Sequence, residues 1–321
     1  MGATAGSAAG SDTGLPPTLR DAVRQAVRAL SDAGVHSAEF DAVALAAHVL
    51  QVGNAEVHKL MIMGAPEPPG FKDLVAERAR RVPLQHLTGK AGFRQLELSV
   101  GPGVFVPRFE TELVAGLAIS RARSLGSRTG LRTGERVVVV DLCTGSGAIA
   151  LAIKDEVPTA EVHAVEISEL AYAWAVRNRD DLGLEVDLRL GDATLAFSDL
   201  ESGVDLVVSN PPYIPLGATP NDPEVRDHDP AVALYGGSDD GLKIPLAVAA
   251  RAAALLRPGG HLVVEHADVQ GRTIAVALGR TGCWQDIEDH EDLNGRPRAV
   301  TAVRAAADVD PGRARLQPLP R

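Results

Sequence analysis

The run Val137-Val138-Val139-Val140-Asp141 constrains this chain more than any other stretch. Unbroken β-branched sequence is apolar on both strand faces, as a central parallel strand covered by helices on both sides requires. It feeds the loop Leu142-Cys143-Thr144-Gly145-Ser146-Gly147, and a helical pattern with Ile149, Leu151, Ala152 and Ile153 follows. Gly145 and Gly147 allow a tight turn and close approach of a ligand to the backbone. The loop lacks the third glycine of a dinucleotide fingerprint and the lysine of a phosphate cradle. Asp141, immediately before it, suits a cationic ligand better than a pyrophosphate.

Three further strands repeat the design. Glu161-Val162-His163-Ala164-Val165 ends in Glu166, roughly 20 residues beyond the glycine loop, where an acidic side chain can accept from both hydroxyls of a ribose. Val186 to Leu190 ends in Gly191-Asp192. Any one of these carboxylates alone is more often structural or exposed, but Asp141, Glu166 and Asp192 close successive strands. A fourth run, Val204-Asp205-Leu206-Val207-Val208, ends in Ser209-Asn210-Pro211-Pro212-Tyr213. The prolines stop it, since proline has no amide hydrogen for a sheet ladder. Asn210 is thereby placed at a strand's carboxyl end, where open α/β sheets bind ligands. The Asn210 side-chain oxygen and the Pro211 carbonyl are acceptors, and Tyr213 offers a flat face. Two acceptors beside a flat face suit a planar group that carries an NH2.

With its upstream loop, the Asn-Pro-Pro-Tyr corner resembles that of the amino-methyltransferases, and most of all the HemK/PrmC family of peptide chain release factor glutamine methyltransferases. The likeness extends from about Thr18 to Val303. It includes Val106-Pro107-Arg108-Phe109-Glu110-Thr111-Glu112, where Phe109 replaces the family's usual proline, and His86, where a tyrosine is common. The resemblance implies a class I S-adenosylmethionine-dependent methyltransferase, a Rossmann-like, mostly parallel seven-stranded sheet with a small N-terminal helical domain. It implies S-adenosylmethionine as cofactor, with S-adenosylhomocysteine as product. Asp141, Thr144, Gly145, Gly147, Glu166, Asp192 and Asn210 would hold that cofactor, Asp192 at the adenine. Asn210, Pro211 and Tyr213 would act at the reacting amide, with Pro212, Phe105 and Arg108 completing the substrate side. The implied partner is a class-1 release factor, and the implied reaction methylates the glutamine of its Gly-Gly-Gln motif.

The 321 residues are enough for two domains. Residues 1–17, rich in Gly, Ala, Ser and Pro, are expected to be a disordered leader. A helical substrate-docking domain is expected over 18–82. Thr18 and Ser37 cap its first two helices, a third starts at Asn54, and a fourth runs from about Phe71 to Arg81. A hairpin linker over 83–108 precedes a methyltransferase domain over 109–305, which is expected to open with an irregular link from Ser120 to Glu135. Ile214 to Asp240 is read as a substrate-side lid, and 306–321 as a disordered tail. The final strands, around Trp284 and Ala299, are expected to close the sheet as an antiparallel hairpin.

The two cysteines form neither a metal-binding spacing nor a disulfide framework, and His36, His48 and His58 share no spacing. No metal is expected. Without a signal-peptide core or a membrane-length apolar run, a cytoplasmic protein free of membranes is expected. The net charge of −10 speaks against a nucleic-acid footprint, and a monomer is expected. Against the release-factor reading stand two others. One is an adenine amino-methyltransferase using the same corner for a flipped base. The other is a non-catalytic cofactor-binding protein whose helical domain is an interaction module.

Overall fold

The computed structural model describes residues 17–127 and 136–306. The expected leader (apart from Pro17), the expected tail (apart from Ala306) and the later half of the Ser120–Glu135 link lie outside the described residues. The chain divides into two compact units between Thr88 and Gly89.

The first unit is helical: α1 (Leu19–Asp32), α2 (Ala38–Leu50), α3 (Asn54–Met63), α4 (Phe71–Ala79) and α5 (Leu84–Thr88). Helix α1 starts where the sequence places its cap, with Thr18 Oγ1 accepting from the Asp21 amide at 3.2 Å. Its buried stripe of Leu19, Val23, Ala26 and Leu30 meets Leu45, Val57 and Phe71 from the other helices. Ser37 does not cap α2 as expected. Its hydroxyl instead donates to Asp41 Oδ1 at 2.8 Å, because Asp41 is one turn further on and already buried in an ion pair with Arg78. Residues 84–88, within the expected hairpin linker, form the short helix α5, with Pro83 just ahead of its first turn, a place that tolerates proline.

The second unit opens with the antiparallel hairpin of β1 (Lys90–Phe93) and β2 (Leu96–Ser99). Helix α6 (Thr111–Gly126) then runs into the expected irregular link as far as Gly126. Val114, Ala115, Ala118, Ile119, Ala122 and Leu125 give it a buried helical stripe that outweighs the Gly, Ser and Arg residues around them. The remaining elements are β3 (Val138–Leu142), α7 (Ala148–Glu156), β4 (Glu161–Glu166), α8 (Glu169–Leu182), β5 (Val186–Leu190), β6 (Val204–Ser209), α9 (Pro223–His228), α10 (Lys243–Leu255), β7 (Leu256–Glu265), α11 (Gly271–Arg280), β8 (Trp284–Glu291) and β9 (Pro297–Arg304).

Seven of these strands form one sheet in the order β5-β4-β3-β6-β7-β9-β8. Neighbours from β5 to β7 are parallel, and β9 runs antiparallel to both β7 and β8. The alternation of the strands divides the core into two layers. Val139, Leu206 and Val208 pack with Ile119, Ile149 and Ile153 on one face, while Val140, Leu142 and Val207 pack with Val248, Leu255 and Ile274 on the other. The strand order reverses between β3 and β6, the place where such sheets bind ligands. Leu142 lies opposite Ser209 there, and the Ser209 hydroxyl donates to the Leu142 carbonyl at 2.5 Å. The glycine loop and the Asn-Pro-Pro-Tyr corner therefore leave the sheet side by side.

Candidate active site

Three contacts tie the glycine loop and the start of α8 to the end of β4. The Thr144 amide donates to the Val165 carbonyl at 3.0 Å, and the Gly145 and Ser168 amides donate to Glu166 Oε2 and Oε1, each at 2.8 Å. Cys143 and Gly145 both have positive φ, 65° and 59°, which turns the chain sharply off β3. At Gly145 an added Cβ would meet nothing within 4 Å, so the backbone there is open to a ligand. Glu166 is buried, yet each of its oxygens spends only one lone pair on the backbone and keeps another for hydroxyl donors.

The other two carboxylates differ from it. Asp192 is exposed, with Oδ1 accepting from the Thr194 amide and hydroxyl at 2.8 Å each. Asp141 is fully enclosed. Its Oδ2 accepts from the Thr144 hydroxyl at 2.6 Å, and its Oδ1 makes no hydrogen bond of standard geometry among the described residues. Asp141 therefore braces the loop from beneath, and a ligand would touch it only if the loop gave way. Ile167, next to Glu166, leaves apolar surface 56% exposed. Acidic groups, an open glycine turn and an exposed apolar side chain fit the sulfonium, ribose and base of S-adenosylmethionine. Glu166→Ala should weaken its binding by ~1–3 kcal/mol through lost charged hydrogen bonds. Calorimetry on a folded variant with unchanged affinity would remove Glu166 from the ribose.

At the corner, the Asn210 amide nitrogen donates to Thr111 Oγ1 at 3.1 Å. Asn210 Oδ1 and the Pro211 carbonyl accept no hydrogen bond from any described residue. Pro211 and Pro212 are buried and Tyr213 half-buried. The Tyr213 hydroxyl donates to Glu265 Oε1 at 3.1 Å, which leaves the ring face as its contribution to a substrate. Gln270 Nε2 then holds the Tyr213 carbonyl at 2.9 Å and the Asp240 carbonyl at 2.7 Å. Gly241 closes on the same carbonyl so tightly that a Cβ there would overlap it.

Phe105 and Arg108 lie together, the guanidinium 5.1 Å from the ring centroid. Arg108 Nη2 also pairs with Asp229 Oδ2 at 2.8 Å, so the segment before α6 is tied to the stretch read as a lid. That stretch is not one long loop. It holds α9, capped by Asp222 accepting from the Glu224 amide, and folds back so that the Ile214 amide meets the Leu234 carbonyl at 2.7 Å. Phe109, the residue in the usual proline's place, is 85% exposed, and His86 is half-buried on α5.

Sequence reasoning did not single out Thr111, Glu265 or Gln270. Thr111 stands in the quoted Pro107–Glu112 segment, and Glu265 ends a strand as the other carboxylates do. Burial pushes both Asp141 and Glu265 up to about 7, against the pull of the hydroxyls bonded to each. Each then holds its proton more tightly folded than unfolded, so stability falls as pH rises from the unfolded values near 3.8 and 4.5 to about 7, and stays low above that. Glu265→Gln should raise stability by about 2–3 kcal/mol at about pH 8, with no gain at about pH 4. Equal midpoints of denaturation at the higher pH would contradict the buried charge.

Sheet order, glycine loop and corner together define a class I S-adenosylmethionine-dependent methyltransferase. Residues 21–89 match the PrmC N-terminal domain and residues 129–221 the methyltransferase small domain. A release factor glutamine methyltransferase of Streptomyces coelicolor is 51% identical over 277 residues, covering 86% of this chain and 94% of that protein. One of Mycolicibacterium smegmatis is 45% identical, with 86% and 94% covered. A 4-amino-L-phenylalanine/4-methylamino-L-phenylalanine methyltransferase of Streptomyces pristinaespiralis is 38% identical, with 86% and 91% covered. The chain belongs to the release factor glutamine methyltransferase family, and S-adenosylmethionine is its cofactor. Among the described residues, no helix is long and apolar enough to cross a membrane, and no cluster of His, Cys, Asp and Glu could hold a metal.

Proposed function

We propose that this enzyme methylates the side-chain amide nitrogen of the glutamine in the Gly-Gly-Gln motif of class-1 peptide chain release factors. The observation that carries the reading is the pair of open acceptors, Asn210 Oδ1 and the Pro211 carbonyl, at the switch point beside the glycine loop. An amide nitrogen is a poor nucleophile, because its lone pair is delocalised into its carbonyl. Accepting one N–H each, Asn210 and Pro211 fix that nitrogen and favour the positive charge that develops on it. Tyr213 supplies the face against which the planar amide lies. Bound S-adenosylmethionine supplies a methyl group activated by its sulfonium, and S-adenosylhomocysteine is left. Asp141 and Thr144 hold the loop in shape, Glu166 takes the ribose hydroxyls and Asp192 the adenine. No side chain of the corner is an evident base, so the surplus proton leaves to water.

The helical unit carries no catalytic constellation, and in this reading it docks the release factor. Phe105 and Arg108 belong to the substrate side, where the Arg108–Asp229 pair latches the lid. We place the enzyme in the cytoplasm as a monomer that makes no direct nucleic-acid contact. A second reading has one observation in its favour. The Streptomyces pristinaespiralis relative is named for an aromatic amine, which also brings a planar NH2. Incubating the protein with labelled S-adenosylmethionine and release factor, DNA or 4-amino-L-phenylalanine separates the readings. Label on release factor alone is expected, and label on either other acceptor alone would overturn the proposal.

A further inference from the structure

The side-chain amide of Asn210 has two ends of opposite character, and the reaction needs the oxygen outward. Turned the other way, it would set two N–H donors against a substrate that brings N–H donors itself. The Asn210 nitrogen donates to Thr111 Oγ1. A hydroxyl both donates and accepts, so this contact fixes the amide only when the hydroxyl hydrogen is committed elsewhere.

Thr111 is the first residue of α6 and is 4% exposed. Its hydroxyl faces the carboxyl of Glu265, the last residue of β7, itself 2% exposed. Glu265 Oε1 takes the Tyr213 hydroxyl, while Oε2 is buried without a hydrogen bond of standard geometry. An ionised carboxylate can only accept. We infer that Thr111 and Glu265 are positioning residues of the methyl transfer: Glu265 draws the Thr111 hydrogen, Thr111 therefore accepts from the Asn210 nitrogen, and Asn210 Oδ1 is held toward the substrate NH2.

One carboxylate thus orients two side chains of the corner, the Asn210 amide through Thr111 and the Tyr213 ring through its hydroxyl. The charged groups facing Glu265 are Arg298 from β9, which favours its ionised form, and Glu110 ahead of α6, which opposes it, alongside the Tyr213 hydroxyl. A protonated Glu265 could donate to Thr111, which would free the Thr111 hydrogen for Asn210 Oδ1 and reverse the polarity of the relay. Ionised Glu265 is the competent form, so wild-type kcat should rise with pH through the neutral range.

The inference rests on the amide-methylation reading, and wild-type transfer to release factor in the same assay separates the two. Without transfer by wild type, the release-factor reading falls. With wild-type transfer established, Thr111→Val, which keeps the shape and removes the hydroxyl, should lower kcat ~10²-fold. Thr111→Ser should restore it to within ~10-fold of wild type. Cofactor affinity should be unchanged in both. Glu265→Gln should lose the pH dependence of kcat. Binding of Gly-Gly-Gln and Gly-Gly-Glu peptides, measured with S-adenosylhomocysteine present, supplies a readout that a loss of packing would not move. Preference for the glutamine peptide should collapse in Thr111→Val and Glu265→Gln, because an unfastened amide can present either end. Wild-type kcat in Thr111→Val, or lost turnover with that preference intact, would overturn the inference. Should Thr111→Val fail to fold, Glu265→Gln decides it by the same readouts.

Discussion

Replacing Asn210 by alanine is expected to lower kcat by ~10²-fold or more and to leave affinity for S-adenosylmethionine nearly intact. The variant removes one of two acceptors that fix the reacting nitrogen, and it leaves Thr111 without the Asn210 donor. It takes nothing from the Thr144, Gly145 and Glu166 contacts that shape the glycine loop. The effect should therefore fall on turnover far more than on cofactor binding. Asn210→Asp is the subtler variant. A carboxylate keeps the acceptor, adds charge and loses the donor to Thr111, so partial activity is expected. Single-turnover rates with saturating cofactor, beside calorimetric affinities, separate the two effects. Asn210→Ala with wild-type turnover would remove the amide clamp from the mechanism.

Asp41→Ala should destabilise the helical unit by about 3 kcal/mol, the low end of the cost of removing one partner of a buried ion pair. Asp41 takes Arg78 Nε at 2.7 Å with both side chains under a tenth exposed, and the Ser37 hydroxyl completes the arrangement. Removing the carboxylate takes from the buried guanidinium the charge that Nε faces, while Nη1 keeps the Val82 carbonyl at 3.2 Å. A shift of this size is a large part of the stability of many small domains. Because the helical unit is proposed to dock the release factor, the variant should keep cofactor affinity while methylation of intact release factor falls. A helical unit that melts as in wild type would contradict the energetic account. Full-rate methylation despite a melted helical unit would contradict the docking role.

What the sequence made legible was mostly local chemistry. The run at 137–141 could only be an inner strand, and the prolines at 211 and 212 could only end one, so the strand ends and their polar residues were visible. Family likeness added the pairing of loop with corner. Four features could not be read this way. Thr111 and Asn210 are 99 residues apart, and Tyr213 and Glu265 are 52 apart, so the network behind the clamp exists only once the sheet has formed. Asp141 looked like a ligand-facing carboxylate because strand position says nothing about what the following loop covers. Helix α6 was obscured by alanine, which is a weak marker of a buried face yet fills one readily against a sheet. Ser37 had the right type and place for a cap, and a buried carboxylate one turn on took its hydroxyl instead.

A corner that reads an NH2 and passes a methyl group to it must tell glutamine from glutamate. Purified enzyme and S-adenosylmethionine are given a class-1 release factor carrying Gly-Gly-Gln, or the same protein with that glutamine replaced by glutamate, and the products are mapped by mass spectrometry. One methyl group on the glutamine side-chain nitrogen is expected, and none on the glutamate, which brings no N–H donors and sets a negative charge against two acceptors. Methylated glutamate, or a glutamine left unmodified by folded, cofactor-bound enzyme, would contradict the account.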